Sequence, residues 1–404
     1  MKALFASLLA ASTMLAGVTF ADAQERTSIR IGLTVSSTGP YAVASQSGER
    51  GIGIWVDDVN ARGGIELDGK KYPVELVKRD DRSDKQLVAR VYESLITDEK
   101  VDALIAPFSS TLVGVAAPIV ESRGSFMVSW AGSSDQLFQQ GYKNIVSVTA
   151  QASQIPVTSI ALAKQLGVKK LAIVSIDEPF PASAAAGAKE MAEKAGIEVP
   201  IFEHYAKGTK DFSVLLQKAQ ASGADGFYTS SYDSDLIPML RQMREREIDF
   251  PYTYMLYGSS PAVLETGADA AYIFSHTQFD ANVNWPVTDG LNTKDFLAAY
   301  GKLYPNATYP ADFQTALAYG AGVILEKSIA TANSVEPEKL KQAALDFSGK
   351  TTIVSGEFKI DETGFQKGMT PIVLQTQPEG LKIIAPETVK TAEPIYPIPG
   401  WTSR

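Results

Sequence analysis

Two hydrophobic patterns alternate along this chain. Residues 29–35, IRIGLTV, form a short, nearly continuous apolar run closed by Thr38-Gly39-Pro40. Residues 48–61 follow the other pattern, with Ile52, Trp55, Val56 and Val59 at helical spacing and Gly63-Gly64 as a stop. A strand is then predicted over 71–77, and a helix over 83–99 with Leu87, Val88, Val91, Tyr92, Leu95 and Ile96 on one face. Ser83 and Gln86 read as a capping box at its start. Another strand, 101–106, follows.

After Tyr142 the alternation begins again. Strands are predicted at 170–176, 199–205 and 226–229, and helices at 182–195, 212–221 and 236–248. Apolar strands joined by amphipathic helices call for parallel sheets covered on both faces. Two such series in 404 residues predict an α/β protein of two doubly wound parallel-sheet lobes. Further on, helices are predicted at 294–304, 311–331 and 337–347, and β-rich runs at 356–360 and 371–376. The closing AEPIYPIPGWTSR has no helical period and reads as an extended tail on the surface.

Charge narrows the classes of partner. Acidic residues outnumber basic ones 46 to 37, for a net charge of −9, which argues against nucleic acid or an anionic membrane surface. The beginning, MKALFASLLAASTMLAGVTFADAQ, has a lysine, an apolar run and Ala21-Asp22-Ala23, the pattern of a cleaved secretory signal peptide over 1–23. The expected location is the periplasm. With no cysteine in the chain, disulfides, thiol chemistry and a lipidated cysteine are all excluded.

Catalysis finds little support. There are two histidines, His204 and His276, and neither stands at a serine-rich strand end. A G-x-S-x-G elbow, metal-ligand spacing and a phosphate-binding glycine loop are all missing, so neither metal nor cofactor is expected. What repeats instead is a polar or aromatic cluster at the C-terminal ends of strands, where α/β sheets form ligand crevices. These clusters are TGPY from Thr38, FSST from Phe108, WAGSS from Trp130, IDEPFP from Ile176 and SSYDSD from Ser230. Serine hydroxyls beside helix N-termini can receive an anion or simply cap the helix.

The succession TGPYAVASQSGERGIGIWVDDVNARGGI, KRDDRSD, FSST and WAGSS resembles the type I periplasmic binding proteins of the Leu/Ile/Val-binding branch. The resemblance implies a clamp with three crossovers that delivers a small-molecule carboxylate ligand to an inner-membrane ABC permease, working as a monomer without catalysis. It implies an N-terminal lobe of 24–149 plus 276–354, a C-terminal lobe of 150–275 plus 355–384, a tail of 385–404, and hinges near Thr149, Ser275 and Ser355. Ser110, Ser133 and Ala131 would hold the ligand's polar head, with Phe108, Ser109, Trp130 and Gly132 on the same wall. Phe180, Tyr232 and Tyr257 would close from the other lobe, and Tyr41 would border the cleft. At Gly258 amino-acid binders carry an acid for the ligand ammonium, so the ligand is either a branched-chain amino acid with a substitute acid or an amino-free aromatic or aliphatic acid. A sensory subunit and a periplasmic amidase are the rival functions.

Overall fold

The computed structural model describes residues 26–404, so the predicted signal peptide lies outside them. The first sheet is parallel throughout, its strands in the spatial order Val74–Asp80, Ile29–Val35, Ala103–Ile105, Met127–Ser129, Ile145–Ser147. The second runs Gly380–Ala385, Ile372–Gln377, Phe274–Thr277, Tyr252–Met255, Gly226–Ser230, Lys170–Ile176, Glu198–Tyr205. Its last five strands are parallel, and the two from the end of the chain add to its edge in antiparallel register. Central strands such as Gly226–Ser230 and Tyr252–Met255 are buried along their whole length, as sheets covered on both faces require. The fold is the expected two-lobed α/β architecture.

Local corrections have identifiable causes. The predicted strand 71–77 is divided by Pro73: Lys70–Tyr72 pairs with Ile65–Leu67 in a hairpin, and Val74–Asp80 enters the sheet. The helix expected from 83 is Lys85–Thr97, capped by Asp84, whose side chain accepts from Leu87 N–H; Ser83 instead donates to the Thr38 carbonyl. The helix expected from 48 begins at Ala42. Its first turns bury Ser45, Ser47 and Gly48, which leave no hydrophobic period to read. The same helix lies against Phe313–Ala332 at close range, because a Cβ at Gly51 would collide with the Thr315 carbonyl and one at Gly322 with the Trp55 ring.

The chain passes between the lobes three times, and the passages lie side by side. Gln278 Oε1 accepts from Thr149 Oγ1 at 3.2 Å and from Ala150 N–H at 2.9 Å, and Ala150 forms a parallel bridge to Gln366. Two passages fall later than the resemblance implies. Phe274–Thr277 still belongs to the second sheet. The hairpin of Thr351–Ile353 and Gly356–Phe358 packs on the first lobe, with Phe358 against Phe347 at 5.5 Å and Ile353 against Gly320. The β-rich run near 356 forms its own hairpin and a bridge from Ile360 to Gln366, so the last passage comes after Ser355, at Gln366 and the residues that follow. The final residues are pinned to the second lobe: Ile398 N–H donates to the Pro251 carbonyl, Trp401 Nε1 to that of Ile248, and the Arg404 guanidinium lies 3.8 Å from the Trp401 ring centre.

Candidate functional site

Each wall of the cleft is built at the C-terminal ends of strands. In the first lobe, Ala103–Ile105 leads through Phe108 and Ser109 into the helix Ser110–Ser122. The neighbouring strand Met127–Ser129 leads into Trp130-Ala131-Gly132-Ser133. Ser110 joins the two turns, its Oγ accepting from Ser133 N–H and Ser134 N–H, both at 3.0 Å. A serine hydroxyl has two lone pairs and one proton. With both lone pairs engaged, Ser110 has only its O–H left to offer. The helix beginning there takes its first hydrogen bonds back to the Ser109 carbonyl, from the N–H groups of Leu112 and Val113.

The second lobe answers with rings. Phe180 comes from the first turn of Pro179–Lys194, Tyr232 from the residue before Asp233–Glu245, and Tyr257 from the turn after Tyr252–Met255. Tyr232 and Tyr257 have ring centres 5.7 Å apart, and Phe180 lies 6.5 and 6.2 Å from them. Across the cleft Phe108 packs on Trp130 at 5.6 Å. Between the walls lies a cavity of about 20 Å³, lined by Phe108, Ser109, Trp130, Ala131, Ser133, Phe180, Tyr232 and Tyr257, with Thr149, Gln278, Gln314 and Leu317. None of these side chains is charged. Ser109 Oγ is buried there without a hydrogen-bond partner among the described residues.

Three sequence-proposed residues stand off the cavity, and Ser110 lies behind its wall. Tyr41 forms the rim, 5.9 Å from Phe108 and 6.0 Å from Tyr232 by ring centres. Gly132 knits its turn, donating to Ser129 Oγ, and a Cβ there would come 2.7 Å from Val113. At Gly258 a Cβ would meet the Met255 carbonyl at 3.0 Å and Ile273 at 3.2 Å. A side chain at Gly258 therefore starts toward the lobe's own interior.

With this geometry in view, the family can be stated. Over residues 28–377 the sequence matches the periplasmic binding protein family. The chain belongs to that family. It is similar to "Leu/Ile/Val-binding protein homolog 7" of Brucella suis, 26% identical over 403 residues, covering 95% of this chain and 97% of the relative. In structure it resembles a leucine-binding protein from Thermotoga maritima with a TM-score of 0.77 at 24% identity, covering 88% of this chain and 98% of that one. It also resembles a solute-binding protein from R. palustris solved with 4-hydroxybenzoate, with a TM-score of 0.74 at 22% identity, covering 91% of this chain and 97% of that one. The family is one of binding proteins and not of enzymes, so the cleft's chemistry is recognition.

In this periplasmic binding protein a polar latch flanks the cavity, and sequence reasoning left it largely unseen. Tyr41 O–H of the first lobe donates to Glu178 Oε2 of the second at 3.0 Å, and Lys207 pairs with Glu178 Oε1 at 2.6 Å. Glu178 is 7% exposed and Lys207 54%. Burial opposes the Lys207 charge, but its bond to Glu178 wins and holds its pKa above the usual lysine value. Asp177-Glu178 stands at a strand end, the only signal sequence offered; nothing marked Lys207. Gln278 and Thr149 also follow strand ends, and Gln314 opens the long helix after the Asp312 cap.

Burial sets the protonation around the cleft. It pushes Tyr232 and Tyr257 far above the ordinary phenol range, so both are neutral donors. It lowers His276 to about 4, leaving an uncharged ring beneath Tyr257. The same cause raises Asp233 to about 6, despite a hydrogen bond from Ser260.

Proposed function

We propose that this periplasmic binding protein captures an amino-free carboxylic acid between its lobes and presents it to an inner-membrane ABC permease. One observation carries the reading: the inner cavity combines the hydroxyls of Ser109 and Ser133 with aromatic rings and contains no charged side chain. A carboxylate is stabilised by several converging N–H and O–H donors. A buried ammonium without an anionic partner is costly. Gly258 supplies no acid, and Glu178 is already engaged by Lys207 and Tyr41. The hydroxybenzoate held by the R. palustris protein is a ligand of this kind. Export through the predicted signal peptide, with function as a monomer, is part of the same proposal.

A branched-chain amino acid is the second reading, favoured by the Leu/Ile/Val-binding relatives and by Asp233 beside Tyr257. A thermal-shift series on refolded, ligand-stripped protein separates the two, comparing benzoate, 4-hydroxybenzoate, 4-methylpentanoate and leucine. A ligand at a hundred times its Kd adds about 2.7 kcal/mol of stability. Stabilisation by the amino-free acids and not by leucine is expected. Stabilisation by leucine alone would overturn the proposal.

A further inference from the structure

The inner cavity is the smaller of two spaces between the lobes. At about 20 Å³ it has room for little more than a water or the tip of a carboxyl group. Beside it lies a chamber of about 910 Å³, and the two share Phe108, Tyr232, Tyr257 and Gln314 in their walls. A space of that size is what a ligand well beyond one ring would fill. Both lobes contribute apolar side chains to it, Val43 and Pro310 from the first, Ile237, Leu264, Leu374 and Leu381 from the second. Val43 is 55% exposed and Leu381 36%, two of the few large apolar side chains this protein leaves to solvent. Isolated exposed residues need no explanation, but a pair at the mouth of an apolar chamber marks a binding surface.

We infer that the occupant is an elongated monocarboxylate, its carboxylate at the serine-bearing end of the inner cavity and its apolar tail running past the shared residues Phe108, Tyr232, Tyr257 and Gln314 into the large chamber. This rests on the carboxylate reading above and adds the shape of the ligand. Charge decides what the far end is. The chamber wall includes Asp233, Glu265, Asp280 and Asp312 and no lysine or arginine. A second carboxylate at the distal end is therefore repelled, while an alkyl or neutral aryl end is accepted. Because the tail touches both lobes, it adds to closure in proportion to its length.

The test is calorimetry on refolded, ligand-stripped protein with butanoate, hexanoate, octanoate, the dicarboxylate octanedioate, 4-phenylbutanoate and benzoate. Burial of each added methylene tightens binding about fourfold, so octanoate should exceed butanoate by on the order of a hundredfold. Octanedioate should bind at least tenfold more weakly than octanoate. Ala262→Trp and, independently, Ser234→Trp each place a ring in the chamber wall without touching the inner cavity. Either should cost octanoate and 4-phenylbutanoate tenfold or more and leave butanoate unchanged. Equal affinities along the series, with both variants leaving octanoate unaffected while benzoate binds, would overturn the elongated ligand and spare the carboxylate reading. Binding of leucine with no acid bound would overturn both.

Discussion

The two walls of the cleft divide the work of recognition. The first lobe contributes hydroxyls and N–H groups fixed by their own hydrogen bonds, as when Ser110 ties Ser133 and Ser134 together. The second contributes Phe180, Tyr232 and Tyr257, which touch one another through their rings. A rigid donor set recognises a head group whatever is attached to it, whereas a cluster of rings discriminates by the shape of the apolar body. The polar wall should therefore set whether an acid binds, and the aromatic wall which acid. Breaking each wall separately tests that division.

The largest effect is expected on the polar side. Ser110→Ala removes the hydroxyl that fixes the two serine-bearing turns from behind the cavity wall and leaves the N–H groups of Ser133 and Ser134 without their acceptor. Benzoate and aliphatic acids alike should lose about 1.5–3 kcal/mol of binding, roughly ten- to a hundredfold in Kd. Calorimetry checks it, and a loss confined to one class of acid would contradict the division. Phe180→Ala comes next and should be selective. Removing a ring that packs on both tyrosines costs an aryl acid about 1–2 kcal/mol, and a short alkyl acid much less.

Legibility in the sequence follows the same line between the walls. FSST and WAGSS are local signals, because each strand end delivers its own side chains within a few residues. Both were readable and both stand at the cavity. The latch of Tyr41, Glu178 and Lys207 was not, since Tyr41 and Glu178 are 137 residues apart and meet only when the lobes do. Hidden too was the start of the helix Ala42–Ala61, whose buried serines and glycines pack by close approach and not by hydrophobic period. Gly258 shows the limit of carrying a position across from relatives. The backbone there starts a side chain toward Met255 and Ile273, a direction that no local sequence signal gives.

Between the walls the latch tests whether closure is built in or induced. Tyr41→Phe keeps the ring while removing the O–H that crosses from the first lobe to Glu178. One hydrogen bond across the cleft is lost, and about 0.5–1.5 kcal/mol of the closed state should go with it. Small-angle scattering of the ligand-free protein should show a larger open fraction. Saturating acid should restore the closed form, since contacts to the ligand favour it independently. An unchanged open fraction would mean that the two lobes are held together by the passages and the rings alone.

The smallest effect concerns Asp233 at the edge of the aromatic wall. Burial raises Asp233 from its ordinary range to about 6 in the folded protein. Its charged form is thus disfavoured by folding, and the sign follows from linkage. Below about pH 3 the carboxyl is protonated in both folded and unfolded chains and costs nothing. As pH rises through 4 to 6 the unfolded chain ionises first, and stability falls, with the full penalty present above 6. Asp233→Asn removes the titration, so relative to the wild type it should raise Tm by on the order of 1–3 °C at pH 7 and by nothing below about pH 3. The ligand enters through the same experiment. If an amino-free acid is bound, Asn at 233 leaves or slightly improves its affinity at pH 7, because a nearby negative charge has been removed. If the ligand carries an ammonium, that group keeps Asp233 ionised, and the substitution weakens binding instead. The direction of one change therefore reports both the cost of the buried acid and whether the ring wall has recruited it for recognition.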